Sequence, residues 1–312
     1  MHRYVIKRLL LMIPVLIGVS FMVYFVMDLA PGDVVSMIAP EATEEQLAEL
    51  RHEMGYDRSV FYRYIIYMSN LLHGDLGTSI QTGKSVWYLY TSRLPNTMML
   101  AIGAIIFSHL CALPLGIFSA VHRGSVLDNA SMVLALIGLS MPAFWLGLLL
   151  IILFSLKLGW LPSSGFSGFK SIILPSMAVG LQQIALLTRT TRSSMIDALC
   201  QDYLRTARAK GVKEKTVILK HALRNALIPI ITVSGTQIAG ALGGSVLTET
   251  VFAWPGVGRL IIDSVNSRDV TVVTGSIVLT TALVSVLLLI VDLLYAFVDP
   301  RIKAQYAKGG KK

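Results

Sequence analysis

An all-α integral membrane protein with six transmembrane helices is the fold class this sequence predicts, and three observations carry it. Hydrophobic residues make up 54% of the 312 positions and charged residues only 14%, too apolar a balance for a water-soluble domain. Six segments are long enough, at ~1.5 Å per helical residue, to cross a hydrocarbon core of roughly 30 Å. Segments of ~10 residues with alternating polarity, the mark of a membrane β-barrel, do not occur.

The first span is the apolar run 9–29, preceded by the cations Arg3, Lys7 and Arg8. It exceeds the ~7–15 apolar residues of a secretion signal, and Pro31 spoils a cleavage site after Ala30. Residues 1–29 are therefore expected to hold an uncleaved span. Residues 30–94 turn polar, with eight acids against five Lys or Arg, and are expected to form a small extracytoplasmic domain between the first two spans. There Thr43 with Gln46 reads as a capping box for a helix over 44–54, and a second helix is expected over 59–72. The segment Gly74-Asp75-Leu76-Gly77 is turn-rich.

Residues 95–298 are expected to form a core of five spans at 95–121, 127–156, 172–188, 225–247 and 272–298. Pro114, Pro142 and Pro175 are tolerated inside spans where neighbouring helices satisfy the freed carbonyls. Between the last two spans, Trp254-Pro255-Gly256-Val257-Gly258 precedes a short amphipathic helix over 259–265. Residues 299–312 form a tail.

The stretch 189–224 holds nine of the 27 Lys and Arg residues. Counted by alternate loops, and with the long first loop discounted, 18 cations stand on the side of the termini against four on the other. Both termini and the basic stretch are accordingly expected in the cytoplasm, the net charge of +9 reporting topology rather than nucleic-acid binding. Within the stretch, 202–211 reads as a short helix stopped by Gly211. Tyr203, Leu204, Ala207 and Gly211 share one arc; Asp202, Arg205, Arg208 and Ala209 share the other. A lipid-headgroup surface and a groove in a partner protein both suit such a helix, and the small residues favour the groove.

The six histidines do not fall at metal-ligand spacing, Cys111 and Cys200 are too separated in the chain plan to pair, and no Gly-rich phosphate loop or Walker-type lysine occurs. The chain is thus not expected to be an enzyme or to hold a cofactor or metal; ATP-driven work would need another chain. Polar groups inside spans are candidates for function, helix-to-helix hydrogen bonding being the alternative. They are His109, Gln182, Gln183, Gln237 and Asp292. Gln237, with Ser234 nearby, Gln183 and His109 are the expected pathway-lining residues. Gly235, Ala239 and Gly243, and separately Gly240 and Gly244, have the spacing that lets helices approach closely.

Arg205-Thr206-Ala207-Arg208-Ala209-Lys210-Gly211, followed by His221-Ala222-Leu223-Arg224-Asn225-Ala226-Leu227-Ile228-Pro229, closely resembles the permeases of bacterial dipeptide, oligopeptide, nickel and glutathione ABC importers. Pro31-Gly32-Asp33, Gly74-Asp75-Leu76-Gly77, Ser140-Met141-Pro142, Thr190-Thr191-Arg192-Ser193-Ser194-Met195, Phe252-Ala253-Trp254-Pro255-Gly256 and Asp299-Pro300-Arg301 extend the resemblance over essentially the full chain. The basic stretch resembles the family's EAA motif, with Arg205 at its acidic position and Thr206 and Ala207 at its alanines. The resemblance implies a type I importer permease whose coupling residues Tyr203, Leu204, Arg205, Ala207, Arg208, Gly211 and His221 dock into a separate ATPase. It also implies a second related permease, two ATPase subunits holding ATP and Mg, and an extracytoplasmic substrate-binding protein faced by Asp75, Leu76, Gly77 and Trp254. The expected cargo is a di- or oligopeptide, with nickel, a metal chelate or glutathione as the alternative. A stand-alone secondary transporter would instead show inverted repeats and broken midplane helices. A lipid-binding scaffold would need only the basic loop.

Overall fold

The computed structural model describes residues 2–29 and 32–298, and its elements among these residues are helical. Pro31, the Asp299-Pro300-Arg301 motif and the tail 299–312 lie outside the described residues. The helices are α1 (His2–Leu29), α2 (Val34–Ile38), α3 (Glu44–Glu53), α4 (Val60–Leu72), α5 (Val86–Val121), α6 (Val126–Ser140), α7 (Ala143–Leu150), α8 (Phe169–Leu199), α9 (Asp202–Ala209), α10 (Glu214–Thr216), α11 (Leu223–Gly244), α12 (Val246–Val251), α13 (Val257–Asn266) and α14 (Val270–Val298). π-helical turns extend α7 through Ile151–Lys157 and join α10 to α11 through Val217–Ala222.

Five helical stretches are each long and apolar enough to span a membrane, and the bent pair α6–α7 makes a sixth. The pair takes the place of the single third span expected over 127–156 with Pro142 inside it. Pro142 has no N–H to donate and its ring disfavours helical angles at the preceding residue. Met141 is accordingly extended (φ −90°, ψ 129°), Pro142 caps α7, and the two halves meet at 101°. The amide of Gln182 on α8 donates to the Met141 carbonyl at 2.9 Å, satisfying a group the break releases. Its role is structural, as the helix-bonding alternative for in-span polar groups foresees.

At the centre of the fold α5 packs along α8. Side chains there would hold the backbones apart: a Cβ on Gly180 would stand 2.8 Å from the Ala104 carbonyl oxygen, and one on Gly116 would stand 2.9 Å from that of Thr188. Their absence lets the two helices touch, as small residues do between membrane helices. Gly235 plays the same part on α11, against Val291 of α14, whereas a Cβ on Gly240 or Gly243 would meet nothing within 4 Å among the described residues.

The spans also run longer than their apolar cores. The second begins at Val86, capped by Ser85, rather than at Pro95. The fourth continues as helix to Leu199, because 189–199 contains no Pro or Gly and turns Thr191, Met195 and Ala198 into the core. The basic stretch 189–224 is therefore not one continuous loop. Helical rods enter it from both sides, and only the segment around α9 departs from them. Arg192, on the extended rod, holds the fully buried Asp128 of α6 through two bonds of 2.6 and 2.7 Å, while the Gly124 N–H donates to the same carboxylate at 2.9 Å.

Residues 32–85 carry α2, α3 and α4. The Thr43–Gln46 capping box is formed in both directions, and Ser59 caps α4. The Arg51 guanidinium beside Asp33 holds that carboxyl below its usual range. This region joins the core through an aromatic seam between α1 and α4, in which Tyr64 meets Phe21 and Tyr24 edge-on. At its other end, α1 is tied to α14 by Asp292, which accepts from Tyr4 at 2.9 Å and pairs with Arg8 at 2.7 Å.

Candidate coupling helix and translocation cluster

An eight-residue helix is too short to persist on its own in water, so what holds α9 decides what α9 can do. Leu204 has no exposed surface; it enters a cluster with Met195 and Ala198 of α8 and with Val217, Ala222 and Ala226 leading into α11. Ala207 and Val212 pack on the same cluster. The Asn225 amide donates to the Tyr203 hydroxyl at 2.6 Å, and Arg208 pairs with Glu214 at 2.8 Å across the following turn. The helix is thus pinned to the ends of two spans.

This orientation corrects one expectation. The Leu204–Ala207 arc faces this chain's own core, because burial there removes the apolar side chains from water, so Leu204 is an anchor and not a docking contact. The outward arc holds Asp202, Arg205 and Arg208; Arg205 is 81% exposed and lies 3.8 Å from Asp202. Tyr203 is 41% exposed, and His221 is half-buried on the π-helical turn.

Gly211 ends the helix for a backbone reason. Its φ is +76°, its N–H bonds to the Arg208 carbonyl at 2.9 Å, and the next N–H, from Val212, reaches Ala207 at 3.3 Å. This is a Schellman closure. A Cβ at Gly211 would meet nothing within 4 Å among the described residues, so close approach to them is not what the position requires. A β-branched residue pays a left-handed penalty of ~1–2 kcal/mol or more, whereas Asn tolerates that region. If α9 docks on an ATPase, as the resemblance implies, Gly211→Val should lower binding-protein-stimulated ATP hydrolysis in the assembled complex by on the order of tenfold, and Gly211→Asn should keep most of it. Equal loss in both variants would place the requirement in a docked surface instead.

In the middle of the spans the four expected pathway residues form one network. His109 on α5 presents Nδ1 to the Ile105 carbonyl at 2.8 Å and Nε2 to the Ser234 hydroxyl on α11 at 2.6 Å. A carbonyl can only accept, so Nδ1 carries the proton; Nε2 faces the Ser234 hydroxyl, which also donates to the Ile230 carbonyl at 2.8 Å. Ser108 donates to Gln183 Oε1 at 3.3 Å, and Gln237 Nε2 donates to the Gln183 carbonyl at 2.9 Å. The remaining oxygen of Gln237 is buried without a partner. Gln183 and Gln237 line a groove of about 240 Å³ together with Leu139, Ala143, Gln182 and Gly240, so the break between α6 and α7 opens onto the polar cluster.

The residues expected to face a binding protein separate into two groups. Asp75 is exposed, its carboxylate accepting from the Gly77 N–H at 2.8 Å, and Gly77 is half-buried. Leu76 is instead buried against Val86, Leu260 and Val272. Trp254 has no exposed surface: its ring packs with Leu100, Leu174, Ala178 and Phe252, and its indole N–H donates to the Asn96 carbonyl at 3.0 Å. An indole so enclosed cannot present itself to a partner. Both side chains hold the fold together.

Two groups escape a reading of the sequence. Glu249 on α12 is fully buried and accepts from Thr97, Ser245 and the Arg259 backbone. It follows the apolar run of the fifth span by so little that only extending the search for in-span charge past Leu247 exposes it. Asp128 follows Ser125 at capping-box spacing, and its own N–H bonds to the Ser125 hydroxyl at 3.1 Å.

Known proteins agree with this architecture. Residues 112–304 match the family described as binding-protein-dependent transport system inner membrane component, and residues 1–101 match the amino-terminal family of the same systems. The chain is 43% identical over 304 residues to the glutathione transport system permease protein GsiC of Escherichia coli strain K12, covering 97% of this chain and 99% of that one. The same figures hold for GsiC of Salmonella typhi. In fold, it resembles a chain of the inward-facing MetNI methionine ABC transporter, with a TM-score of 0.58 at 20% identity over 68% of this chain and 97% of that one. The chain therefore belongs to the family of inner-membrane permease components of binding-protein-dependent ABC importers.

Proposed function

We propose that this permease forms half of a translocation pathway for small peptides, glutathione or peptides of similar size among them. The observation that carries the reading is the His109–Ser234–Gln183–Gln237 network opening onto the groove at the α6–α7 break. The amide side chains of Gln182, Gln183 and Gln237 at that groove suit a cargo rich in peptide N–H and C=O groups. Full-length likeness to glutathione permeases supports the same cargo class over nickel.

The second half of the pathway is supplied by a related permease. Thr236, Gly240 and Gly243 form an exposed face of α11, and small residues there leave room for a facing helix. Two ATPase subunits, carrying ATP and Mg, meet the outward arc of α9 on the cytoplasmic side, and a substrate-binding protein docks on the opposite side near Asp75. Both termini are cytoplasmic in this reading, which the excess of cations on their side supports.

Reconstitution with the cognate ATPases, second permease and binding protein tests this reading. ATP-dependent uptake of labelled glutathione or a dipeptide is expected, and Gln237→Leu should slow it without preventing assembly. Uptake that proceeds without the ATPases, or uptake of a nickel chelate alone, would defeat the proposal.

A further inference from the structure

The depth at which α4 meets α1 is fixed by hydrogen bonds. The Tyr64 hydroxyl lies 3.0 Å from the Ile17 carbonyl, to which it donates, and 2.8 Å from the Ser20 hydroxyl. Ser20 precedes Leu29 by nine residues, so it sits roughly 14 Å inside the apolar run at ~1.5 Å per residue. A tyrosine side chain spans little more than one helical turn, ~5.4 Å. The backbone of α4 therefore lies below the Leu29 end of the span and not above it. We infer that α4 lies within the bilayer as an interfacial helix, with Phe61, Ile65 and Leu72 seated among lipid acyl chains on the Leu29 side of the membrane.

The faces of α4 agree with that placement. Tyr64 and Tyr67 are buried toward α1, where Tyr24 packs against both rings. Phe61, Ile65 and Leu72 fall within an arc of about 40° at 3.6 residues per turn, and are 59%, 65% and 82% exposed. Arg63 and Asn70 lie on the opposite side. The Arg63 guanidinium pairs with Asp28, next to the Leu29 end, as a cation does when it reaches from a lipid-level helix toward the interface. Continuity supplies the rest: α1 is itself a span whose most apolar window is only 6% buried in this chain, so the surface beside α4 is lipid-facing already.

The inference rests on α1 crossing the membrane; the proposed orientation only names the leaflet as the outer one. It changes the expected extracytoplasmic domain into a region of which one helix is a membrane foot, holding α1 and the loop 73–85 at a set height.

Nitroxide labels in the assembled complex in lipid nanodiscs test it. Phe61→Cys, Ile65→Cys, Leu72→Cys and Asn70→Cys are made with Cys111 and Cys200 replaced by Ser, and Leu10→Cys on α1 serves as the lipid reference. Labels at 61, 65 and 72 should collide more with oxygen than with a water-soluble nickel chelate, matching Leu10, and the label at 70 should show the reverse. Nickel preference at 65 and 72 with oxygen preference at 10 would overturn the inference while leaving the membrane reading intact. Exclusion of both reagents at 61, 65 and 72 would overturn it in favour of a protein partner, and nickel preference at 10 would remove the membrane reading itself. Any one of the three apolar positions suffices if another label prevents assembly.

Discussion

Replacing Leu204 with Asp should abolish binding-protein-stimulated ATP hydrolysis in the assembled importer while leaving the permease inserted in the membrane. Leu204 is the one side chain of α9 with no exposed surface, and it fills a pocket made by the ends of α8 and α11. Truncating a leucine so placed costs about 2–5 kcal/mol, and a carboxylate there costs more because it must be desolvated without a partner. A helix of eight residues has no reserve to absorb that loss. α9 should detach from the spans, and under the proposed docking of α9 on an ATPase a helix that is not fixed to α8 and α11 cannot transmit movement to the pathway. Leu204→Met keeps the volume and should keep stimulation, volume-conserving swaps costing less than ~1.5 kcal/mol. The measurement is ATPase rate with and without loaded binding protein; stimulation within roughly twofold of normal in the Asp variant, on a scale where 1.4 kcal/mol is tenfold, would show that α9 is held by other means.

That experiment separates two roles the sequence runs together. Periodicity shows that Leu204, Ala207 and Gly211 share an arc, and it shows this correctly; it does not say what the arc faces. An apolar arc beside a membrane span can turn outward to a partner or inward to its own chain, and only the positions of Met195, Ala222 and Ala226 decide for inward. The same limit explains Trp254 and Leu76. Aromatic and apolar residues in a turn-rich loop suit a docking surface by type, but here the loops fold back and use them as core. What the sequence does state well is whatever has a local cause. The Thr43 capping box, the stop at Gly211, and the existence of the spans each follow from neighbouring residues. The break at Pro142 also has a local cause, yet proline is common enough inside membrane helices that its effect depends on Gln182 satisfying the Met141 carbonyl, a contact 41 residues away. His109, Gln183 and Gln237 are legible from the sequence because imidazole and amide side chains inside spans are few and seek polar partners, which the neighbouring Ser234 helps to supply.

Glu249 carries the second large effect, on stability rather than coupling. Its Oε1 accepts from Thr97 at 2.8 Å and from Ser245 at 3.1 Å, and its Oε2 accepts from the Arg259 N–H at 3.1 Å, at the start of α13 where the helix dipole favours an acceptor. Thr97 in turn accepts from the Val257 N–H at 2.8 Å, so one side chain ties α5, α12 and α13. Desolvation pushes its carboxyl above the usual range, against the lowering effect of these bonds. Gln at this position can keep its oxygen toward Arg259 and turn its NH2 toward Thr97 and Ser245, whose hydroxyls also accept. Glu249→Gln should therefore melt close to the unaltered protein. Glu249→Ala leaves those buried donors unpartnered and opens a void, for a loss of about 2–4 kcal/mol, read as a clear fall in the thermal unfolding midpoint of the purified complex. A Gln variant as unstable as the Ala variant would mean that Glu249 is held as a charged carboxylate, and an Ala variant as stable as the Gln variant would mean that the tie between α5 and α13 is made by Trp254 and Asn96 instead.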